Sequence, residues 1–505
     1  MLTTAAELIN KYELKLAFIL TKLTGVAKIM SNYSHWEESL NQSRAQSSLT
    51  VLSVAIGVFI TSLDINVVNI ALPTIQRKFG VGVGDVQWIV VGYLFVLCAS
   101  QLIMGRLADL IGPKKIYLWG VAGFTAASLV CGLSISIIML IGSRIVQAIF
   151  GSMIVATSNA LITSAVAVEK RGASLSATSL AVALSTMVGP PLGGFLIQLF
   201  GWNSVFLINV PIGIIAGILG AMAIRADLPA RSERFDVLGG GLFVGALTTW
   251  LYLLEAFASG TLDPFVGSVG ALVGIVLVVL FILREAKAPF PLLDPKLFQI
   301  RAFLFSNLAA TLFFVAEFML IFIVPYYLQG VRHLSTSASG LMMLPMSVGM
   351  VLAAPFAGRL SDKINPHVVA AGGLILLALT SLVLSAFQAA TPAWIVFIDF
   401  LLAGVGAGLF QAPNANAVMS SVDSSRRGIA GAALGTMRNL GMLLGEAGAA
   451  VVLASAVRAL SPETSPEGTM TALCEIGVSA ACIVAIALAM SLWLCRQSHG
   501  LRLKR

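Results

Sequence analysis

Fourteen apolar runs of about twenty residues, the length a helix needs to cross the hydrocarbon of a bilayer, recur along this chain. They fall near 50–72, 86–107, 116–136, 137–160, 172–199, 203–224, 236–258, 265–283, 302–328, 337–357, 367–388, 392–416, 428–456 and 472–495. A chain of 505 residues that is 58% hydrophobic and 11% charged, with mean hydropathy +0.95, carries far more apolar surface than a soluble fold can bury. The expected fold is an all-α polytopic membrane protein, and its first partner is the lipid bilayer.

A net charge of +8 would suggest nucleic acid in a soluble protein, but here the Lys and Arg sit in the connections between spans. With both termini cytoplasmic, Arg106, Lys114, Lys115, Lys170, Arg171, Arg225, Arg284, Arg301, Arg359, Lys363, Arg426, Arg427 and the basic tail 496–505 fall inside. Arg77, Lys78, Arg332 and Arg458 fall outside. This positive-inside bias sets the orientation and fits an even number of spans, so a nucleic-acid partner is not expected. The five cysteines and four histidines show no disulfide or zinc spacing, and neither a metal site nor a cofactor is expected. Before the first span, KYELKLAFILTKL reads either as an interfacial amphipathic helix or as sequence upstream of a start at Met30.

Charge inside the spans is more informative. Asp64, in LDINVVNIALP, lies fifteen residues past Leu49, roughly 22 Å into a hydrocarbon layer about 30 Å thick. An acid at that depth costs a few kcal/mol unless it has a partner, a proton or a water-filled cavity, so it reads as a hydrogen-bonding anchor or as a proton or cation site. Arg144 lies at a matching depth in a later span, with Gln147 and Gly151 at i+3 and i+7 making one polar, small face suited to a cavity wall. Pairing with Arg144 would favour the charged form of Asp64, as a switch or as a static salt bridge. Three further acids stand in the second half of the chain. Glu317 is expected to be the foremost of them because Tyr326 and Tyr327 follow on its span, where aromatic rings suit a lipophilic cation. Asp399 lies near the outer side and Glu446 eight residues beyond Arg438, too far along one helix for a direct bond. Each could equally serve as a helix–helix hydrogen bond.

The loop GRLADLIGPKK, from Gly105 to Lys115, recurs as GRLSDKINP from Gly358. The copies start 253 residues apart, and leaving out the segment 225–301 brings the spacing to about the length of one six-span half. The chain therefore reads as a duplication with a two-span insert. Gly105 and Gly112 permit close approach and a tight turn, while Asp109 can pair with Arg106 or the following lysines, which predicts a conformational role. Arg359 and Asp362 are expected to repeat the arrangement. In GPPLGG, Gly189 and Gly193 continue a small-residue stripe from Ser185, Gly194 follows, and Pro190 and Pro191 interrupt backbone bonding, predicting close packing with a bend.

Two six-helix halves with the loop G-x-L-A-D-x-x-G resemble the major facilitator superfamily. LDINVVNIALP, RIVQAIFGS (Arg144 to Ser152), GPPLGG and GWNSVFLINVPIG (Gly201 to Gly213) are together similar to the fourteen-span drug:proton antiporters of that superfamily, EmrB/QacA-like. The resemblance implies a 6 + 2 + 6 arrangement: an extension 1–48, a bundle 49–224, an insert 225–301, a bundle 302–495 and the tail 496–505. It also implies that the GPPLGG helix seals the cavity in exchangers. The expected function is proton-coupled export of lipophilic, cationic compounds across the bacterial inner membrane. The partners are then protons and a small lipophilic substrate, with a periplasmic adaptor in a double-membraned cell. The alternatives are a secondary exporter of one metabolite, lipid or siderophore, and a non-transporting sensor. No G-x-x-x-x-G-K-[ST] motif for ATP occurs, and the spans hold no Ser/His or metal-spaced set, so no enzyme activity is expected.

Overall fold

Local chemistry sets where the helices begin. Gly112 adopts φ 111, a left-handed conformation that favours glycine, and Pro113 follows it at the first helical position. Ser136 accepts from the Met139 amide, Asp263 from the Phe265 and Val266 amides ahead of Pro264, and Ser335 from the Ala338 amide. Each of these side chains serves amide donors that a helix cannot satisfy itself.

The computed structural model describes residues 46–166, 171–225, 236–258, 261–288, 295–423, 426–460 and 466–502. The expected interfacial helix before the first span lies outside them. The helices are α1 (Gln46–Phe79), α2 (Val83–Val86), α3 (Trp88–Ile111), α4 (Pro113–Gly132), α5 (Ile137–Ala165), α6 (Arg171–Phe200), α7 (Ser204–Leu207), α8 (Asn209–Ala223) and α9 (Val237–Ala258). They continue as α10 (Pro264–Lys287), α11 (Pro295–Phe298), α12 (Arg301–Tyr326), a π-helical turn (Tyr327–Val331), α13 (Thr336–Lys363), α14 (Pro366–Ser385), α15 (Ala393–Ser420), α16 (Arg427–Leu460) and α17 (Pro466–Arg502). Among the described residues thirteen helices are long and apolar enough to cross a membrane, and α9, with the shorter apolar stretch Leu238–Leu254, takes the fourteenth place.

The spans form a six-helix bundle on each side of a hairpin. In the first bundle α4 packs on α5 and α8, α3 packs on α5, and α1 is tied to α4 and α8 by Ser53, which meets the Tyr117 hydroxyl and donates to the Ala216 carbonyl. In the second, α13 and α14 pack on α15, while α12 packs on α16 and α17. The helices of the second bundle meet backbone to backbone: a methyl at Gly404 would overlap the Met346 carbonyl oxygen, and one at Gly349 the Leu401 carbonyl oxygen. The hairpin between the bundles, α9–α10, is pinned at one end by Arg284, whose Nε donates to both carboxylate oxygens of Asp236 at 3.1 and 3.0 Å. Its α9 touches α3 of one bundle and α16 of the other, whereas α10 leans on α9 and exposes Phe265, Leu272 and Ile282.

The bundles meet along α6·α13 and α3·α16. Calling one membrane face the Gly112 face and the opposite one the Gly80 face, the described bonds between bundles lie from mid-membrane to the Gly80 face. Gln329 donates to the Ile70 carbonyl at 3.0 Å, Asn69 to Glu446 at 2.8 Å, Ser337 to Gln198, and Ser347 to the Thr186 carbonyl at 2.9 Å. Asn439 donates to Gln101, which lies ten residues short of the end of α3, about 15 Å from the Gly112 face. Gly194 and Gly340 bring α6 and α13 into backbone contact, since side chains there would strike the Thr336 and Pro190 carbonyls. Gly189 and Gly193 instead pack on Asn66 and on Val67 and Ile70 of α1, and α6 runs through Pro190 and Pro191 as one helix.

Candidate functional site

Asp64 and Arg144, at matching depths, meet. Both are fully buried, and the Arg144 Nη1 donates to Asp64 Oδ2. Asp64 Oδ1 accepts from Gln147 at 3.1 Å and from Asn209 at 2.9 Å, so helices α5 and α8 both close on α1. Arg144 also donates to the Ile89 carbonyl at 3.0 Å and to Gln147 Oε1 at 2.7 Å, and its guanidinium lies over the Tyr93 ring, 3.9 Å from the centroid. Gln147 reaches on to Ser128 at 2.7 Å, bringing in α4. A buried ion pair is tolerable when its remaining lone pairs and protons are bonded. Here both carboxylate oxygens and the Arg144 Nε and Nη1 are bonded, while the Arg144 Nη2 is buried with no acceptor.

This geometry corrects one expectation and decides among others. Arg144 and Gln147 do not form a cavity wall, and of a partner, a proton or a water-filled cavity Asp64 has the partner: the network is sealed inside the first bundle because five helices supply its partners.

The cavity lies elsewhere. A narrow cleft opens between the bundles, lined by Asn66, Thr186 and Pro190 from the first and by Glu317, Met343, Met346 and Met350 from the second. Glu317 is 5% exposed, and its hydrogen-bonding neighbour is Gln411, 3.4 Å away, at the long end of the range for such a bond. Arg438 of α16 is its electrostatic counterpart, with no direct ion pair between the two, and the Arg438 Nε is buried without an acceptor. Tyr326 and Tyr327 do not join Glu317, contrary to expectation. Nine residues along a helix of 3.6 residues per turn is two and a half turns, which places Tyr326 on the opposite face. Tyr327 donates to the Gln388 carbonyl at 2.9 Å. Methionines line the cavity in their place.

Asp399 is 5% exposed and lines an adjoining cleft that shares Ile321, Met343 and Met346 with the first. Glu446 is fully buried at the seam, bonded to Asn69 and, as its spacing implied, not to Arg438. Of the loop residues, Arg106 and Asp109 approach to 3.6 Å, one turn apart at the end of α3. The second copy does not repeat this: no ion pair is described for Arg359 or Asp362, both exposed at the end of α13. Asn365 takes the place of Gly112 with φ −59 and caps α14 through the His367 amide at 3.0 Å, so the turn is built differently. Asn69, Asn209, Gln411 and Arg438 were missed as site residues. Amides in apolar runs are the signal that could have found the first three; Arg438 was weighed against Glu446 on its own helix, while its counter-charge stands on α12.

With two bundles, a hairpin and a cavity between the bundles in place, kinship can be assigned. Residues 54–446 match the Major Facilitator Superfamily. The chain belongs to that superfamily. It is 32% identical over 403 residues to the riboflavin transporter RibZ of Clostridioides difficile, covering 80% of this chain and 87% of RibZ. It is 32% identical over 411 residues to the multidrug resistance protein Stp of Mycobacterium tuberculosis, covering 81% and 76%. In fold it resembles a bacterial homologue of the human lysosomal transporter Spinster in an inward-facing, unoccupied conformation, with TM-score 0.66 at 16% identity over 89% of this chain and 97% of that one. This member of the major facilitator superfamily is thus a multi-pass transporter of small molecules with fourteen spans in a 6 + 2 + 6 arrangement.

Proposed function

We propose that this transporter exports lipophilic cations in exchange for protons by alternating access, across a bacterial cell membrane with both termini cytoplasmic. The Lys/Arg bias supports placing the Gly112 face inside, and the halves are then 49–224 and 302–495, joined by 225–301. The observation that carries the reading is Glu317: a carboxylate in the inter-bundle cavity, among methionine side chains that adapt to many apolar shapes, with no direct ion pair. A cation and a proton can compete for such a group, which is the minimum that exchange requires. In this reading Asp64 and Arg144 anchor the first bundle, and Gly105, Arg106, Asp109 and Gly112, with the glycines of α6, act in the conformational change. Kinship with a multidrug resistance protein supports the substrate class.

The test is proton movement on adding ethidium to proteoliposomes under an imposed pH gradient, for wild type and Glu317→Gln. Coupled fluxes in wild type are expected, with loss of both in the variant while its thermal unfolding is unchanged. Ethidium that moves no protons in the wild type would refute the reading. A second reading, export of one planar metabolite, is favoured by kinship with a riboflavin transporter and predicts competition by a narrow set of compounds in the same vesicles.

A further inference from the structure

The seam on the Gly80 side holds a second carboxylate whose surroundings are unlike those of Asp64. Glu446 of α16 is fully buried and accepts one hydrogen bond, from Asn69 Nδ2 of α1, at 2.8 Å. The other oxygen of each partner, Glu446 Oε2 and Asn69 Oδ1, is buried with no donor. No described cation pairs with Glu446. On α12 its electrostatic neighbour is Tyr326, whose buried hydroxyl donates to nothing described. On α1, Asp64 is taken by Arg144, and on α12, Glu317 faces Arg438. On α2, α3, α9, α15 and α17, the other helices packed on α16, no charged side chain is described as facing it.

A carboxylate and a primary amide can form one such bond, whereas a carboxylic acid and an amide form two. One proton on Glu446 Oε2 supplies the donor that Asn69 Oδ1 lacks, and satisfies both orphaned oxygens at once. It also removes an uncompensated charge from the interior.

We infer that Glu446 and Asn69 form a proton-operated latch between the two halves: protonated, they make a two-bond acid–amide pair that holds the outer side closed. Without the proton, a buried carboxylate faces an amide oxygen and the seam parts. The bond of Gln329 to the Ile70 carbonyl, one residue along α1 from Asn69, crosses the same seam. The latch rests on alternating access but not on the identity of the substrate. It assigns to the seam a proton separate from the one that competes with substrate at Glu317.

The test omits substrate and transport. Spin labels are placed at two exposed positions, Lys78 in the last turn of α1 and His333 beyond the π-helical turn, in protein reconstituted in nanodiscs, and their separation is measured by double electron–electron resonance from acid to alkaline pH. Wild type is expected to pass from a short to a long separation as pH rises, the population ratio changing by up to about tenfold per pH unit for one linked proton. Glu446→Gln, whose amide can make the same two bonds to Asn69, is expected to hold the short separation throughout. Asn69→Leu is expected to shift the transition toward acid. A Glu446→Gln protein that titrates like wild type, or a wild type whose separation ignores pH, overturns the latch. Either result leaves the ethidium experiment standing, and failure of that experiment leaves this one standing.

Discussion

Asp64 and Glu317 are both carboxylates deep in a membrane helix, and the molecule treats them oppositely. Asp64 is surrounded by Arg144, Gln147 and Asn209, drawn from helices within one bundle, and has no room for a ligand. Glu317 has one long bond and an arginine at a distance, and it faces a cavity shared by two bundles. Depth in the membrane is therefore a poor guide to role. What separates an anchor from a site is whether the donors around the acid are complete, and whether they belong to bodies that move together.

Four substitutions probe that contrast. Replacing Arg144 with Met strands the Asp64 carboxylate in a dry interior, and removal of one partner of a buried pair costs about 3–5 kcal/mol. Arg144→Met is thus expected to lower the thermal unfolding temperature sharply in detergent, and an unaltered unfolding temperature would break the comparison. The matching change in the second bundle, Arg438→Met, removes a cation that makes no direct pair. Its cost should stay below roughly 1.5 kcal/mol, in the range of an ordinary hydrogen bond, with the loss appearing in ethidium efflux. Equal destabilisation by the two changes would mean that Glu317 is as firmly anchored as Asp64. The smallest effect concerns the loop copies. Asp109→Asn should cost about 1 kcal/mol at most, since the Asp109 side chain is exposed and its distance to Arg106 is long, and Asp362→Asn nothing measurable. A larger loss at Asp362 would show that the second copy is bonded after all.

The sequence made the fold plain, because spans, charge bias and repeated loop are properties of single segments. The matching depth of Asp64 and Arg144 was legible too, since depth along two helices can be counted, but depth alone does not bring two side chains into contact. Closure of that network was not, because Asn209 and Ser128 come from helices whose rotation about their axes is set by packing against neighbours. The same limit explains the failed pairing of Glu317 with the tyrosines: proximity along the chain was taken as proximity in space, where half-turn phase decides. Arg359 and Asp362 show another side of it. A motif can be kept as letters while the glycine that shapes its turn, Gly112, is an asparagine in the copy.

The hairpin of α9 and α10 has a consequence for the bilayer itself. Since α10 rests on α9 and presents apolar side chains all along its far side, lipid is its remaining neighbour. Stretching or thinning the hydrocarbon layer tilts such a helix at modest energetic cost. That tilt passes to α9, which touches both bundles at the α3–α16 seam. The thickness of the membrane thereby reaches a contact shared by the two halves, and two membranes of different composition should give the same protein different turnover.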